Sequence, residues 1–433
     1  MASFSIPLTG LEADSTALNT IANDLSNMST TAFKAQTTNF ADLFYQQVGS
    51  TGSGDQIQVG AGTQVASNDT DFTAGTPNST GVSSNVALQG SGFFIVDSGK
   101  TQDLTRAGDF QTDAKGNLVT TNGYSVMGYP ATNGVVDTNA PLSAMSIPMG
   151  TVQKPQATSS MSMTANLDSA ASTGTQFPAE ITVYDSLGQA HIATVTYQQT
   201  ATNTWTYSAQ LPAADYSTSG TNVVPAAITG TMTFDSNGNL ATVAQGTGAA
   251  QTVGTATGDV STIALNFTPA GSALADGASG LSINWNLLNS SGAPNVGQVD
   301  AASDVSATNQ DGYPAGQYQS FSVGSDGTIS VTYSNGQQQN VGQIALANVA
   351  NLQGLSMLGN GDYATTQASG AATTGISGAG GLGTMEGGAL EASNVNISTE
   401  FSNLIVAQRA FEANAKSVTT FDTVTQDTIN MVH

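Results

Sequence analysis

Residues 397–433 read ISTEFSNLIVAQRAFEANAKSVTTFDTVTQDTINMVH. Within them Ile397, Phe401, Leu404, Gln408, Phe411, Ala415, Val418, Asp422, Thr425, Ile429 and Val432 follow one another at alternating steps of four and three. That spacing holds one stripe of a helix in register over roughly five heptads and predicts a long amphipathic helix. A second stripe opens the chain: Leu8, Leu11, Ser15, Leu18, Ala22 and Leu25, widened by Ile21. Thr9 and Glu12 have the spacing of a capping box, which predicts this helix over about residues 9–28. Gln408, Asp422 and Thr425 weaken the long seam and Gly10 the short one, so neither helix is expected to persist alone in water. Two arrangements stay open at this point: both helices pack on a globular core, or they pair with each other as a coiled coil.

Between the two ends the pattern changes to β. Runs such as FFIVD at 93–97, ITVY at 181–184, ATVTY at 193–197 and ISVTY at 329–333 are short and apolar or alternating. They are separated by DAKGN at 113–117, DSNGN at 235–239 and SDGT at 325–328, where Asn or Asp with Gly supplies the positive φ of tight turns. The expected fold class is therefore mixed: terminal α-helices, forming a coiled coil on the second arrangement, with all-β, barrel- or sandwich-like inner and outer domains. The expected division is 1–30 with 397–433 as the helical part, 31–70 with 366–396 as Gly/Ser/Thr-rich connector, 71–148 with 299–365 as an inner β-domain, and 149–298 as an inserted outer β-domain. The insert is set apart by composition, since no Lys or Arg lies between Lys154 and Arg409.

Composition narrows the function classes. With 7 Lys plus Arg against 30 Asp plus Glu the 433-residue chain carries a formal charge of −23, so it has too few cations to gather phosphates and nucleic-acid binding is not expected. No apolar run approaches 18 residues, so no membrane insertion is expected. The first residues, MASFSIPLTGLEADS, lack a basic start and an unbroken apolar stretch, and no cleaved signal peptide is expected. Without cysteine there is no disulfide framework and no thiolate metal site.

Catalytic signatures are missing as well. His191 and His433 are the two histidines, and His191 reads as an ordinary strand position in AHIATVTY. No complete G-x-S-x-G occurs. Gly99-Lys100-Thr101 ends like a phosphate loop, but Phe94 stands where that loop needs glycine, so the segment reads as a hairpin tip. Asp235, Asn237 and Gly238 open like a calcium loop without its later bidentate Glu, and read as a turn. No enzyme activity, cofactor or metal is expected.

The stretch NDLSNMSTTAFK at 23–34 resembles the N-terminal signature of bacterial flagellar rod and hook axial proteins, carried here by Asn23, Asn27, Thr30, Phe33 and Lys34. NFADLFYQQ at 39–47 looks like the hook member. LEASNVNISTEFSNLIVAQRAFEANAK at 390–416 is similar to the C-terminal signature of the same family, through Leu390, Glu391, Ser393, Asn394, Val395, Gln408, Arg409 and Asn414. GSGFFIV, TRAGDF, GYSVMGYP, QDGYPAG and GQIALA, at 90–96, 105–110, 123–130, 310–316 and 342–347, resemble its inner β-domain. Asp24, Ser26, Ala32 and Asn396 depart from the usual Asn, Ala, Gly and Asp, and Ala32 argues against a positive-φ turn there.

The resemblance implies a structural subunit of the flagellar hook, self-assembling into a hollow flexible tube that joins rod to filament, carries torque and encloses an export channel. It implies further copies of itself, rod, hook cap, hook–filament junction and hook-length-control proteins, and the flagellar type III export apparatus as partners. It also implies a location in the flagellum, outside the cell, after export without signal cleavage. A distal rod subunit and an extracellular adhesin-like β-protein are the alternatives. The expected axial contacts are Leu11, Leu18, Ile21, Leu25, Phe401, Leu404, Phe411 and Val418. On this reading, deleting residues 1–30 or 397–433 leaves a folded, monomeric β-core that does not polymerise, as checked by sedimentation and electron microscopy; tubes from either truncated chain would contradict it.

Overall fold

The computed structural model describes residues 5–50, 56–220 and 222–431, and within them the side chains of 46–48 and 57 are left aside. Two helices bracket the chain: α1, Ser5–Ser26, and α2, Ile397–Met431. Among the described residues, everything regular between them is strand, apart from two short 3₁₀ turns. The chain divides into a first unit, Met1–Met149 with Gln319–Thr332 and Gln338–His433, and a second, Gly150–Tyr318 with Tyr333–Gln337.

In the second unit, six strands run as an antiparallel meander from Gln176–Tyr184 through Ala190–Ala201, Thr204–Gln210, Ile228–Phe234 and Leu240–Gln245 to Gln251–Thr252. Five more form another sheet, in which Ser160–Asp168 pairs with Ser282–Asn286, Val296–Val299 and Asp304–Gln310, and Thr262–Asn266 covers the outer side of Ser282–Asn286. Burial alternates along both sheets, and the buried faces supply one core that includes Trp205, Trp285, Tyr197 and Tyr207. This is sandwich packing, with each fully buried aromatic or aliphatic side chain contributing about 1.5–3 kcal/mol. Trp205 Nε1 donates to Gln298 Oε1 at 2.8 Å, and Trp285 meets Tyr207 edge-on at 5.5 Å. The strand Asp304–Gln310 lies beside Ser160–Asp168, so residues 299–318 go with the second unit rather than with the inner domain expected to begin at 299.

The first unit carries a sheet in the order Thr328–Tyr333, Gln338–Ile344, Ser125–Thr132, Phe93–Asp97, Gln102–Thr105, Asp362–Ala364, Ser356–Gly359. Phe93–Val96 is buried on both faces, as its unbroken apolar run requires. Phe93 packs with Phe72 and Tyr363, while Phe94 turns the other way onto Phe110. Two small pairings, Pro77–Ser79 with Ala389–Glu391 and Val86–Gln89 with Thr384–Gly387, draw the chain leading into α2 onto this body.

Four expectations change. The helix α1 begins by Ser5, so Thr9 is inside it; its Oγ1 donates back to Ile6 O at 2.8 Å, and there is no capping box at Thr9. Pro7 sits in the first turn, where its missing N–H costs nothing. Residues 36–70, expected as connector, form an antiparallel hairpin of Gln36–Asp42 on Thr63–Thr70, extended by Gln46–Ser50 on Gln56–Val59. Its cross-strand ties are polar, such as Thr38 to Asn68 at 2.7 Å and Asn39 to Asp69 at 2.7 Å. Residues 366–396 likewise include paired strands at Thr373–Gly375, Thr384–Gly387 and Ala389–Glu391. Ala32 does take a left-handed backbone, φ 54°, although it lacks glycine's freedom. Its N–H donates to Glu391 O at 2.8 Å and its methyl is buried, which offsets a strain of about 1–2 kcal/mol. The turn readings of DAKGN and DSNGN hold: Asp113 and Asp235 each accept two backbone N–H bonds from the following residues, with Gly116 and Gly238 at positive φ.

Asp24, near the end of α1, is fully buried; its Oδ2 accepts from Gln36 N at 2.8 Å and its Oδ1 has no partner among the described residues. Burial pushes its carboxyl from 3.8 up to about 6 against the opposing bond from Gln36, and Glu400 adds to the rise. The folded chain therefore holds this proton at pH values where the unfolded chain has lost it. Stability falls as pH climbs from about 4 to about 6, and a constant penalty remains above that window. Asp24→Asn is expected to stabilise the first unit by ~1–3 kcal/mol at pH 7.5 and by little at pH 4, measured by urea denaturation; an equal effect at both pH values would contradict this.

Candidate functional site

The N-terminal and C-terminal signatures meet in one place. Lys34, Arg106 and Glu391 are buried together, although they lie far apart in the chain. Lys34 Nζ donates to Glu391 Oε1 at 2.5 Å and to Thr73 O at 2.7 Å. Arg106 approaches Glu391 Oε2 at 3.5 Å, donates to Gly90 O at 2.7 Å and lies 5.4 Å from the centre of the Phe93 ring. Burial lowers the Lys34 ammonium and the Arg106 guanidinium from their ordinary ranges, and Glu391 opposes both shifts.

The backbone closes around this cluster. Gly75 N donates to Glu391 Oε1 at 2.8 Å, and a Cβ at Gly75 would lie 1.9 Å from Ala392 O, so only glycine fits. Asn394 accepts from Ala35 N at 2.8 Å and donates to Asp71 O at 2.8 Å, stitching the two signatures a second time. Asn396 then caps α2, its Oδ1 accepting from Ser398 N and Thr399 N. On the other side, Asn27 bonds back to Asn23 and accepts from Thr30 Oγ1, so these residues shape the exit from α1. Phe33, Leu390, Ser393 and Val395 are half-buried along the same crossing. The signature residues thus serve mainly to lock the chain ends to the β body.

The two helices pair along small side chains. Gly10 faces Asn414, and a Cβ there would lie 2.6 Å from its Nδ2; Asn414 Nδ2 donates to Asp14 at 2.9 Å. The buried stripe of α1 is Pro7, Gly10, Ala13, Thr20, Ile21 and Asp24, turned one residue from the expected leucine seam. Leu11, Leu18 and Leu25 border it half-buried, and Leu8 is exposed. Thr20 faces the hairpin and accepts from Thr38 Oγ1 at 3.0 Å, which explains a polar residue in the stripe. On α2 the half-buried positions are Glu400, Leu404, Ala407, Ala410, Asn414, Ala415, Ser417, Val418 and Phe421. Of the expected seam, Leu404 and Val418 face inward, whereas Phe401 and Phe411 are 52% and 37% exposed. Ile405, Val406, Val424 and Ile429 are exposed too, and no residue of α2 is fully buried. Gln408 and Arg409 point into solvent.

Sequence reasoning passed over a second cluster, in the second unit. His191, expected to be an ordinary strand residue, is buried with Asp185 and Asp215 on its two ring nitrogens. Asp185 lies six residues before His191, in a turn segment where an Asp reads as turn chemistry, and Asp215 comes from a loop 24 residues on, with no local spacing to read. Among the described residues no helix is long and apolar enough to cross a membrane.

Residues 87–166 match the family described as flagellar hook protein FlgE/F/G D1 domain, 153–313 the flagellar basal body protein FlaE D2 domain, and 386–431 the flagellar basal body rod FlgEFG protein C-terminal family. The chain is 35% identical to the flagellar hook protein FlgE of Salmonella typhimurium over 99% of its own length and 100% of that protein. It is 35% identical to the FlgE of Escherichia coli K12, with 99% of each chain covered, and 32% identical to that of Treponema pallidum, with 98% of each covered. Among solved structures, the crystal structure of Helicobacter pylori flagellar hook protein FlgE2 shares the fold with a TM-score of 0.51 at 14% identity, covering 71% of this chain and 99% of that one.

Removing the shared anion of the buried cluster leaves two cations without a counter-charge. Glu391→Ala is expected to destabilise the first unit by ~3–5 kcal/mol, measured by urea denaturation, and Glu391→Gln by less because it keeps an acceptor. A loss below ~1 kcal/mol for Glu391→Ala would show that the cluster does not hold the chain ends.

Proposed function

Because the chain belongs to the flagellar hook protein family and is a structural subunit of the hook, we propose that it polymerises with copies of itself into an open helical tube whose innermost layer is built from α1 and α2. Contacts that run head to tail without closing generate such a tube. The observation that carries this reading is the arrangement of α2: Leu404 and Val418 turn inward among small side chains, and Phe401, Ile405, Phe411, Val424 and Ile429 stay in water. Several large apolar side chains exposed along one helix are costly unless other surfaces cover them. A cleft of about 360 Å³ between α1, α2 and the hairpin, lined by Ala17, Ile21, Phe40, Val406 and Ala410, is a socket for a neighbour's side chain. Leu11, Leu18 and Leu25, half-buried at the edge of the helix pair, gain cover from the same neighbours.

Torque entering the helices reaches the β body through the Lys34–Glu391–Arg106 cluster and Asn394, which tie both chain ends to the same strands. With so few cations, neighbouring surfaces meet through neutral Ser, Thr, Asn and Gln groups, which can slide where ion pairs would fix one register. That suits a joint that bends in every direction. A cysteine-free chain also suits export in an unfolded state, here assigned to the type III route, with rod, cap, junction and length-control proteins as neighbours. The role is structural, and no catalytic step is assigned.

Replacing both exposed rings by Phe401→Ser and Phe411→Ser should leave the monomer folded, because neither ring is in its core. The concentration at which polymer appears should rise at least about tenfold, given ~1.5–3 kcal/mol for each ring buried on assembly. Pelleting and negative-stain microscopy measure this; assembly of the double variant at the wild-type concentration would contradict the proposal.

A further inference from the structure

The cluster around His191 lies in the second unit and plays no part in the assembly reading. Asp185 closes the turn between strands Gln176–Tyr184 and Ala190–Ala201, and its Oδ1 accepts from Leu187 N at 2.8 Å and Gln189 N at 2.9 Å. That leaves Oδ2, 3.1 Å from His191 Nε2. Nδ1 of the same ring is 2.9 Å from Asp215 Oδ2, on the short turn Ala213–Asp215. Asp276 comes from a third segment and brings a carboxylate oxygen to the same place as the free ligand atoms of Asp185 and His191. Its loop is pinned, with Ala278 N donating to Asp276 Oδ1 at 2.9 Å, Ser279 N to Ser186 Oγ at 2.9 Å and Ala275 N to Asp215 O at 2.9 Å.

One ligand atom from each of Asp185, His191 and Asp276 falls within 4.8 Å of the others. We propose that this trio binds a divalent transition-metal ion of the zinc class, with Asp215 as the carboxylate that positions the imidazole. Three features point to it. Two carboxylates brought together repel unless a proton or a cation lies between them, and Lys154 is the only Lys or Arg of the second unit, so besides His191 no basic side chain there can supply that charge. The ring is held as metal-bound histidines are, one nitrogen fixed by a carboxylate and the other aimed at the ligand atoms. Asp185 and His191 are buried and Asp276 is exposed, which gives the ion an entry path and a position for water beside the three ligands. An imidazole nitrogen with two carboxylate oxygens suits Zn²⁺, whereas Ca²⁺ takes six to eight oxygens.

The test is calorimetric titration of the full-length, chelator-treated monomer with ZnCl₂ at pH 7.5. One saturable site per chain is expected, with Ca²⁺ bound at least about tenfold more weakly. Asp276→Asn changes an exposed residue and should weaken Zn²⁺ at least about tenfold without unfolding the unit; Asp215→Asn should weaken it about 10–100-fold through the ring's orientation. Nitrogen NMR of the two histidines should show Nε2 of His191 shifting on Zn²⁺ addition. Absence of saturable binding, equal affinity for Ca²⁺, or unchanged Zn²⁺ affinity in Asp276→Asn would each overturn the site and leave His191 as an internal bridge between carboxylates.

Discussion

A buried carboxylate shared by two buried cations is the constraint on which the first unit depends. Glu391 lies just ahead of α2, Lys34 just after α1, and Arg106 within the β body, so one charge cluster fixes where both helices leave the sheet. Desolvating three ionic groups is expensive, and the arrangement survives because Thr73, Gly75 and Gly90 supply backbone partners and Phe93 offers its ring face. Only 7 Lys and Arg exist in the chain, and two of them are committed here. The cluster specifies one exit geometry for the helices more than it adds net stability.

With the exits fixed, the helices need only a shallow contact with each other. Gly10, Ala13, Ala407, Ala410 and the Asn414–Asp14 bond allow close approach and leave Phe401, Ile405, Phe411, Val424 and Ile429 of α2 outward. The chain is thus firmly tied at the junction and incompletely buried along the rods, a division that suits a subunit of the hook. Asp24 places a proton-sensitive carboxyl at the end of α1, where the helix meets the hairpin.

Both helices were legible from periodicity because a 3.6-residue stripe needs no knowledge of what covers it. Which stripe turns inward was not legible. Periodicity ranks residues by apolarity, and here Gly10, Ala13, Ala407, Ala410 and Asn414 take inward positions beside Ile21, Leu404 and Val418 because the helices approach closely. The hairpin at 36–70 was missed for a related reason: Thr, Asn and Gln bond across its strands and leave no apolar alternation to read. The β middle announced itself through runs such as 93–97 and through Asp/Asn-Gly turns. Signature residues were recognised by resemblance alone, and that Lys34 meets Glu391 became visible only in three dimensions. The His191 cluster was not legible because its near partner, Asp185, sits six residues away in a turn where Asp is ordinary, and Asp215 and Asp276 come from distant loops.

The most direct measurement is a helical reconstruction of the polymer by electron cryomicroscopy at side-chain resolution. The account predicts Phe401 and Phe411 packed against helices of neighbouring copies around the lumen, with Glu391 still joined to Lys34 within its own chain. Rings open to the lumen, or a Glu391 paired across subunits, would contradict it.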